Sequence, residues 1–387
     1  MSDRPNNEMV DRLVSAGTIV TGTVEAAMRA VPRHLFLPGV EPDQAYADQP
    51  VHIKTDAGGT SISAASQPSI VAAMLEQLGC EPGHRVLEIG AGTGYNAALL
   101  ARLAGGVTTV DIDDDLVAAA RSNLSAAGCA ARVVLGDGSR GHPPAAPYDR
   151  IVATVGTHHV PRAWLDQLVP GGRLVVPQRI RGSHSRSIAY EHRDGTWSSV
   201  SSVLAGFMPL RGVDHDDRHV VDLAGAALYT HSDQDIDPSA IHGVLTTPRH
   251  RTWTGVVIRS TESLEWLELW LTTELPNGLS RMPVTGDRTA VERLYRWGSS
   301  ATVEGGALAY LTRRLAPPDT DGTVRYEIGT IGHGQGGAAL AGRVDEAVRA
   351  WNDDHRGQEA TFALHPTGAG TSYEAVTHWP RARSCRP

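Results

Sequence analysis

Apolar residues recur along this chain with two distinct periods, and the changes of period mark out its elements. Met9, Val10, Leu13 and Val14, then Val24, Ala27, Met28 and Val31, fall at helical spacing, and Pro32 ends the second run. A Ser-rich approach, Thr60-Ser61-Ile62-Ser63-Ala64-Ala65-Ser66-Gln67, leads to Pro68. Proline near a first helical position predicts a helix over about 69–78, with Ile70, Val71, Met74, Leu75 and Leu78 on one face. Short continuous apolar runs follow at 86–89, 107–111, 133–135, 151–155 and 174–177. Their alternation with helices predicts an α/β fold on a doubly wound, mostly parallel sheet. Pro170-Gly171-Gly172-Arg173 reads as a tight turn into the last of these strands, and further short strands run to about residue 210.

Composition changes at Arg211. Residues 212–237 read as an acidic, His-bearing connection with a short apolar piece from Val220 to Leu228. Beyond it, 254–259 reads as a strand, 263–275 as a helix with Leu264, Leu267 and Leu271 on a face, 307–313 and 324–331 as a strand pair, and 338–351 as an amphipathic helix. The expected division is a first domain over 1–212, a linker over 213–245 and a C-terminal α+β domain over 246–387. A chain of 387 residues is long enough for two cores.

The formal net charge of −8, with no basic run to gather the arginines into a stripe, argues against a nucleic-acid partner. No apolar run approaches membrane-spanning length and residues 1–9 lack an apolar signal segment, so a cytoplasmic protein with no membrane partner is expected. Cys80, Cys129 and Cys385 are too scattered for a disulfide framework or a thiolate metal site.

The chemistry concentrates where the second period begins. Val86-Leu87-Glu88-Ile89-Gly90-Ala91-Gly92-Thr93-Gly94 is a buried strand followed by glycines that bring bare backbone N–H groups against a ligand. About twenty residues on, a second strand ends in Asp111-Ile112, and an acid there suits ribose hydroxyls. A third strand ends in Gly136-Asp137-Gly138, where a carboxylate suits an adenine amino group. A dinucleotide fingerprint needs glycine where Tyr95 stands, and Glu88 would repel a pyrophosphate. Glu88 suits an ammonium group instead. The ligand that combines ammonium, ribose and adenine without phosphate is S-adenosylmethionine, so the expected cofactor set is Glu88, Gly90, Ala91, Gly92, Thr93, Gly94, Asp111, Ile112, Asp137 and Gly138.

Other candidates compete with plainer readings. Ser66 at a helix start can orient an acceptor carboxylate or simply cap the helix. Ser63, and His158-His159 after the fourth strand, are candidate substrate contacts, against loop residues that are only solvated. His215 and His219 stand four apart but on no helix, which favours a charged loop over a metal site. The 332–337 glycine run lacks the Lys-Ser/Thr pair of a phosphate loop, and Trp266 and Trp270 read as core. No metal is expected.

The segments Val31-Pro32-Arg33-His34-Leu35-Phe36, Ala45-Tyr46-Ala47-Asp48, Ser66-Gln67-Pro68, 86–94, Gly136-Asp137-Gly138, Tyr148-Asp149 and 170–177 resemble, in order, motifs of the protein L-isoaspartyl O-methyltransferase family. The likeness covers about residues 8–180 and implies a class I S-adenosylmethionine-dependent methyltransferase with Ser66 as its active-site serine. Members that repair proteins are about half this length. The added domain, the 61–65 approach and Arg349-Ala350-Trp351-Asn352-Asp353-Asp354-His355-Arg356-Gly357 resemble longer homologues found with lanthipeptide and graspetide pathways. That second likeness implies methylation of an aspartyl carboxylate in a modified precursor peptide, leading through aspartimide to an imide or isoaspartate. The alternatives are general isoaspartate repair and a non-catalytic peptide-binding module.

Overall fold

The computed structural model describes residues 4–56, 59, 61–212, 218–285 and 291–380. His215, its neighbours Asp214, Asp216 and Asp217, Thr60 and Cys385 lie outside the described residues. The chain divides into two compact units. The first is Met1–Gln178, Ser185–Asp216 and Thr361–Val376; the second is Arg179–His184, Asp217–Ala360 and Thr377–Pro387.

In the first unit, α1 (Arg4–Ser15) buries Met9, Val10 and Leu13, and α2 (Gly22–Ala30) buries Val24, Ala27 and Met28. Thr21 caps α2 by accepting from Val24 N. The short α3 (Pro42–Ala45) and the hairpin β1 (Val51–Thr55) and β2 (Ser61–Ala65) lead into α4 (Pro68–Leu78), which starts on its proline as expected. Then come β3 (Arg85–Ile89), α5 (Tyr95–Leu103), β4 (Gly106–Asp111), α6 (Asp114–Ala126), β5 (Arg132–Leu135), β6 (Tyr148–Ala153), β7 (Val160–Pro161), α7 (Arg162–Asp166), β8 (Leu168–Arg181), β9 (His184–Arg193) and β10 (Thr196–Leu204).

Strands β5, β4, β3, β6 and β8 are parallel neighbours in that order, and β9 and β10 continue the sheet antiparallel. Val86, Leu87, Ile89, Ile151, Val152, Leu174 and Val175 are buried, as strands covered on both faces require. Because β3 has β4 on one side and β6 on the other, the chain winds away from β3 in both directions. The crevice at its carboxyl end is where such sheets bind ligands. One local reading is corrected: Pro170-Gly171-Gly172 is not a turn into a strand but lies within β8, where the pairing with β6 shifts register.

The second unit is α+β. It holds β11 (Arg218–Asp222), β12 (Ala227–His231), α8 (Pro238–Ile241), β13 (His250–Arg259), α9 (Glu265–Glu274), β14 (Ser280–Pro283), β15 (Gly298–Glu304), β16 (Ala307–Ala316), β17 (Arg325–Gly334) and α10 (Gly337–Ala350), with a π turn over Trp351–His355. The sheet β13-β17-β16-β15-β14 is antiparallel throughout. Leu267 and Leu271 of α9 and Leu340, Val344 and Val348 of α10 pack with Ala309, Leu311 and Ile328. Leu308, Tyr310 and Ile331, on the opposite parity, pack with Val221, Leu223 and Leu228. From Arg218 on, therefore, the expected connection carries a hairpin whose apolar residues join a core. The 332–337 run is the turn between β17 and α10.

The end of the chain departs most from the expected division. The strands β18 (Thr361–Pro366) and β19 (Ser372–His378) join the first unit's sheet, β18 beside β10 and β19 beside β7. Phe362 and Leu364 are buried, and Phe362 N donates to Ser199 Oγ at 2.9 Å. Pairing between segments some 160 to 210 residues apart leaves no local trace. Phe362→Ala is expected to destabilise the first unit by about 3–5 kcal/mol, as large-to-small core changes do. Denaturant unfolding followed separately for the two units is the measurement, and an unchanged midpoint for the first unit contradicts the assignment of β18.

Candidate functional site

The glycine loop is braced from two strands. Gly90 has φ +99°, and a Cβ there would fall 2.6 Å from Thr154 Oγ1, so only glycine fits. Thr154 Oγ1, just past β6, donates to Gly90 O at 2.7 Å. From β4, Asp111 Oδ2 accepts from Gly92 N at 2.9 Å and Oδ1 accepts from Asp113 N at 3.2 Å. Burial raises the Asp111 carboxyl above its ordinary range, while the Gly92 and Asp113 amides work against that shift. Ala91 and Thr93 are buried in the loop, and Thr93 O accepts from Asn123 at 3.0 Å.

Glu88 is fully buried. Its Oε1 accepts from Asn96 Nδ2 at 2.8 Å, whereas Oε2 finds no donor in bonding geometry among the described residues, although the nearby Thr109 hydroxyl eases its charge. Burial pushes its carboxyl up to about 7. A buried carboxylate oxygen short of donors is costly, and a ligand ammonium would supply one. Ile112 and Leu135, at the ends of β4 and β5, leave 38% and 53% of their surface exposed, and an aromatic base offers such side chains a face. Asp137 Oδ1 accepts from Ser139 N at 2.9 Å. The residues present thus fit S-adenosylmethionine: a donor-seeking carboxylate, an acid beside the loop amides, and apolar side chains beyond.

Two features of the site escape a reading of the sequence. Residues 208–212 lie along the ends of the strands: Gly156 N donates to Met208 O at 2.8 Å, and Leu210 N to Gly156 O at 2.6 Å. Arg211 pairs with Asp113, and Gly212 approaches Asp137. Asp113 also meets Lys54 at 3.4 Å, and Lys54 pairs with Asp115 at 2.8 Å. Lys54 is the sole lysine of the chain, the one signal in the sequence that sets it apart.

Ser66 is half-buried between β2 and α4 and is not the cap of α4: Gln67 occupies that position, and Asp48 Oδ1 accepts from Ser69 N at 2.8 Å. Both flanks of the serine are fixed. Arg33 donates to Ala65 O at 3.3 Å and to Ala45 O at 2.9 Å, and Gln67 Nε2 donates to Asp48 Oδ2 at 3.0 Å. The Arg33 guanidinium also lies 5.1 Å from the ring centroid of Tyr95, the first residue after the glycine loop. One buried side chain therefore ties the Ser66 turn to the loop. Burial lowers its pKa from the usual value.

Ser63 is buried on β2. His158 and His159 are half-buried with ring centroids 4.3 Å apart, and Gln178 Nε2 donates to His158 O at 3.1 Å. No group of metal-ligating side chains occurs among the described residues.

Sheet order, glycine loop and acidic strand ends together define a class I S-adenosylmethionine-dependent methyltransferase. A family model described as Protein-L-isoaspartate(D-aspartate) O-methyltransferase matches residues 3–213, and the chain belongs to that family. It is 42% identical over 214 residues to the Protein-L-isoaspartate O-methyltransferase of Methanopyrus kandleri, covering 54% of this chain and 92% of that protein. The corresponding protein of Methanoculleus marisnigri is 47% identical over 210 residues, with 54% and 92% covered. A solved structure titled protein-L-isoaspartate O-methyltransferase matches at 22% identity and TM-score 0.51, covering 96% of this chain and 99% of that one. The fold of nearly the whole chain thus recurs under that title.

Asp111→Ala is expected to weaken S-adenosylhomocysteine binding about ten-fold or more, since ribose hydroxyls lose a charged acceptor. Titration calorimetry measures it, and an unchanged dissociation constant removes Asp111 from the site. Glu88 gives a pH signature. An ammonium prefers the ionised carboxylate, so affinity should rise as pH passes about 7 and then level off, while Glu88→Gln should show no such rise. Stability of the ligand-free protein runs the other way. A folded pKa above the unfolded one favours the fold at low pH, and that contribution is lost as pH rises towards about 7.

Proposed function

We propose that the chain methylates the free carboxylate of isoaspartyl residues in proteins and peptides, the repair reading of its family. The observation that carries it is the Ser66 turn, clamped on both sides and tied through Arg33 to the glycine loop. The supporting comparison is the family match over residues 3–213.

A carboxylate is ionised at neutral pH and is itself a nucleophile, so no general base is required. S-adenosylmethionine, when bound, supplies an electrophilic methyl group. The protein's task is orientation. In this reading the Ser66 hydroxyl donates to one oxygen of the acceptor carboxylate and leaves the other free to react. Fixing Ala65 O and Gln67 limits the backbone freedom that would blur that geometry. The ester so formed is a better acyl donor than a carboxylate. The neighbouring amide nitrogen closes on it, methanol leaves, and the succinimide then hydrolyses to aspartate or isoaspartate.

Action on one modified precursor peptide is the narrower reading. It rests on the second unit, of which all but Arg179–His184 lies beyond the family match, and on the 61–65 and 349–357 stretches. The latter has a local use that weakens the argument: Trp351 and His355 are buried, and Arg356 donates to Glu262 at 2.8 and 2.6 Å and to Val257 O at 3.0 Å. Repair is therefore the better supported of the two.

Transfer of labelled methyl groups to an isoaspartyl peptide and to its aspartyl twin is the test. Methylation of the isoaspartyl peptide alone, followed by methanol loss in the mass spectrum, is expected. Ser66→Ala should leave S-adenosylhomocysteine affinity near normal and lower kcat about ten-fold or more, the worth of one hydrogen bond to a charged group. Methylation confined to an aspartyl residue of a modified peptide would replace repair with the narrower reading.

A further inference from the structure

About half of the described arginines in the second unit have a carboxylate partner. Arg249 and Arg251 meet Glu292, Arg259 meets Asp319, Arg314 meets Glu327, Arg343 meets Glu304 and Arg356 meets Glu262. Around Tyr295 and Trp297 the pattern changes. These rings stack with centroids 5.3 Å apart and 14° between planes. The Arg281 guanidinium lies 4.4 Å from the Trp297 centroid, and Arg313 lies 4.3 Å from that of Tyr326 while its charge also acts on Tyr295. Arg293 Nη1 donates to the carbonyl of Arg296 at 3.0 Å. Among the described residues, none of Arg281, Arg293, Arg296 and Arg313 forms an ion pair. Glu268, within the field of Arg281, is already engaged by the hydroxyls of Ser300 and Tyr295.

Arg281, Arg296, Trp297 and Arg313 are exposed. A guanidinium laid on an aromatic ring is held flat, so its rotamer freedom is largely lost before any partner arrives. Its N–H edge stays available, and that planar fork matches a carboxylate. Tryptophan, tyrosine and arginine are also the side chains that dominate binding hot spots. A chain of net charge −8 thus lays two exposed guanidiniums without an ion pair, Arg281 and Arg313, on aromatic rings, with the exposed Arg296 beside Trp297 in the chain.

We propose that this ladder is a docking surface for an acidic peptide segment, so that Asp- and Glu-rich substrates are held by the second unit. The substrate role rests on the methyltransferase reading above; the docking itself does not. A carboxylate-bearing peptide fits better than a nucleic acid. Trp297 is already stacked on Tyr295 and covered by Arg281, which leaves little ring face for a base. The patch is compact, whereas phosphate tracking needs an extended basic stripe that this acidic chain lacks.

The probe is a dye-labelled peptide of alternating Glu and Ala, which contains no residue that can become isoaspartyl. Fluorescence anisotropy with the full chain should show binding that weakens with salt. Arg281→Gln with Arg313→Gln should weaken it roughly ten-fold, as loss of two exposed ion pairs allows. Arg218→Gln, an arginine over Tyr229 and outside the ladder, should leave it unchanged. In methyl transfer, the double variant should raise KM for an isoaspartyl peptide with an acidic extension, with kcat and S-adenosylhomocysteine affinity unaltered. The same peptide with a neutral extension should show no change in KM. Equal binding by wild type and double variant, equal loss in Arg218→Gln, or tighter binding of a single-stranded oligonucleotide overturns the proposal. If the acidic peptide binds through Arg281 and Arg313 but no isoaspartyl peptide is methylated, the docking surface stands and the proposed function fails. Methylation indifferent to acidic extensions is the reverse result.

Discussion

The Ser66 turn of the first unit depends on one buried cation. Arg33 is removed from water and makes no ion pair among the described residues. Burying a guanidinium is costly unless its donors are used. Here carbonyls meet that need: Ala45 O, Ala65 O and the Tyr95 ring face take up the charge, although Nη1 has no partner in the structure. Each contact comes from a different segment, namely the end of α3, the end of β2 and the start of α5. Because the cation has nowhere cheaper to go, those segments are fixed relative to one another, and the Ser66 turn with them. This gives a physical reason for motif segments that carry no chemistry themselves. Val31–Phe36 supplies the arginine, and Ala45–Asp48 supplies a carbonyl and the carboxylate that caps α4.

The parallel half of the sheet was legible because its strands are buried on both faces, and a continuous apolar run ending in glycine or an acid fits little else. Strands β3, β4 and β5 fall within one residue of the expected runs. The placement of the candidate cofactor residues together followed from the same logic, since residues that begin loops at strand ends must gather at one edge of a parallel sheet. What stayed hidden was non-local. Nothing near residue 361 announces that β18 will pair with β10, and the Thr196–Leu204 strand is so rich in serine that its burial pattern carries no clean alternation. The 208–212 segment looks in sequence like the end of a domain. Its hydrogen bonds to Gly156 and its ion pair to Asp113 are contacts between positions tens of residues apart.

Motif resemblance and physical role also separate in the second unit. The Trp351–His355 turn and Arg356 look distinctive as a sequence string, which invites a functional reading. In the fold they close α10 against its own unit: Arg356 reaches Glu262, beyond β13, and Arg349 Nε donates to Thr254 O at 3.0 Å. A string can be distinctive because a π turn with a buried tryptophan and histidine admits few residues. The Tyr295–Trp297 ladder has the opposite character. Its residues come from several strands and a loop, spell no motif, and become visible only when rings and guanidiniums are seen together.

Two raised carboxyl pKa values at the cofactor edge describe the ligand better than the glycines do. A glycine loop alone tolerates phosphate, and many nucleotides would satisfy it. Glu88 and Asp111 are both driven upward chiefly by burial, and the Asp111 charge adds only a lesser push to Glu88. An anionic ligand would add repulsion to that desolvation. A ligand bringing positive charge and hydroxyl donors relieves it, because ionised carboxylates are what such donors bind. Buried acids at the ends of β3 and β4 thus suit a cationic nucleoside better than a phosphate-bearing one. The glycines serve that arrangement, since the Gly92 amide that holds Asp111 and the Gly90 turn braced by Thr154 keep the two acids at one edge.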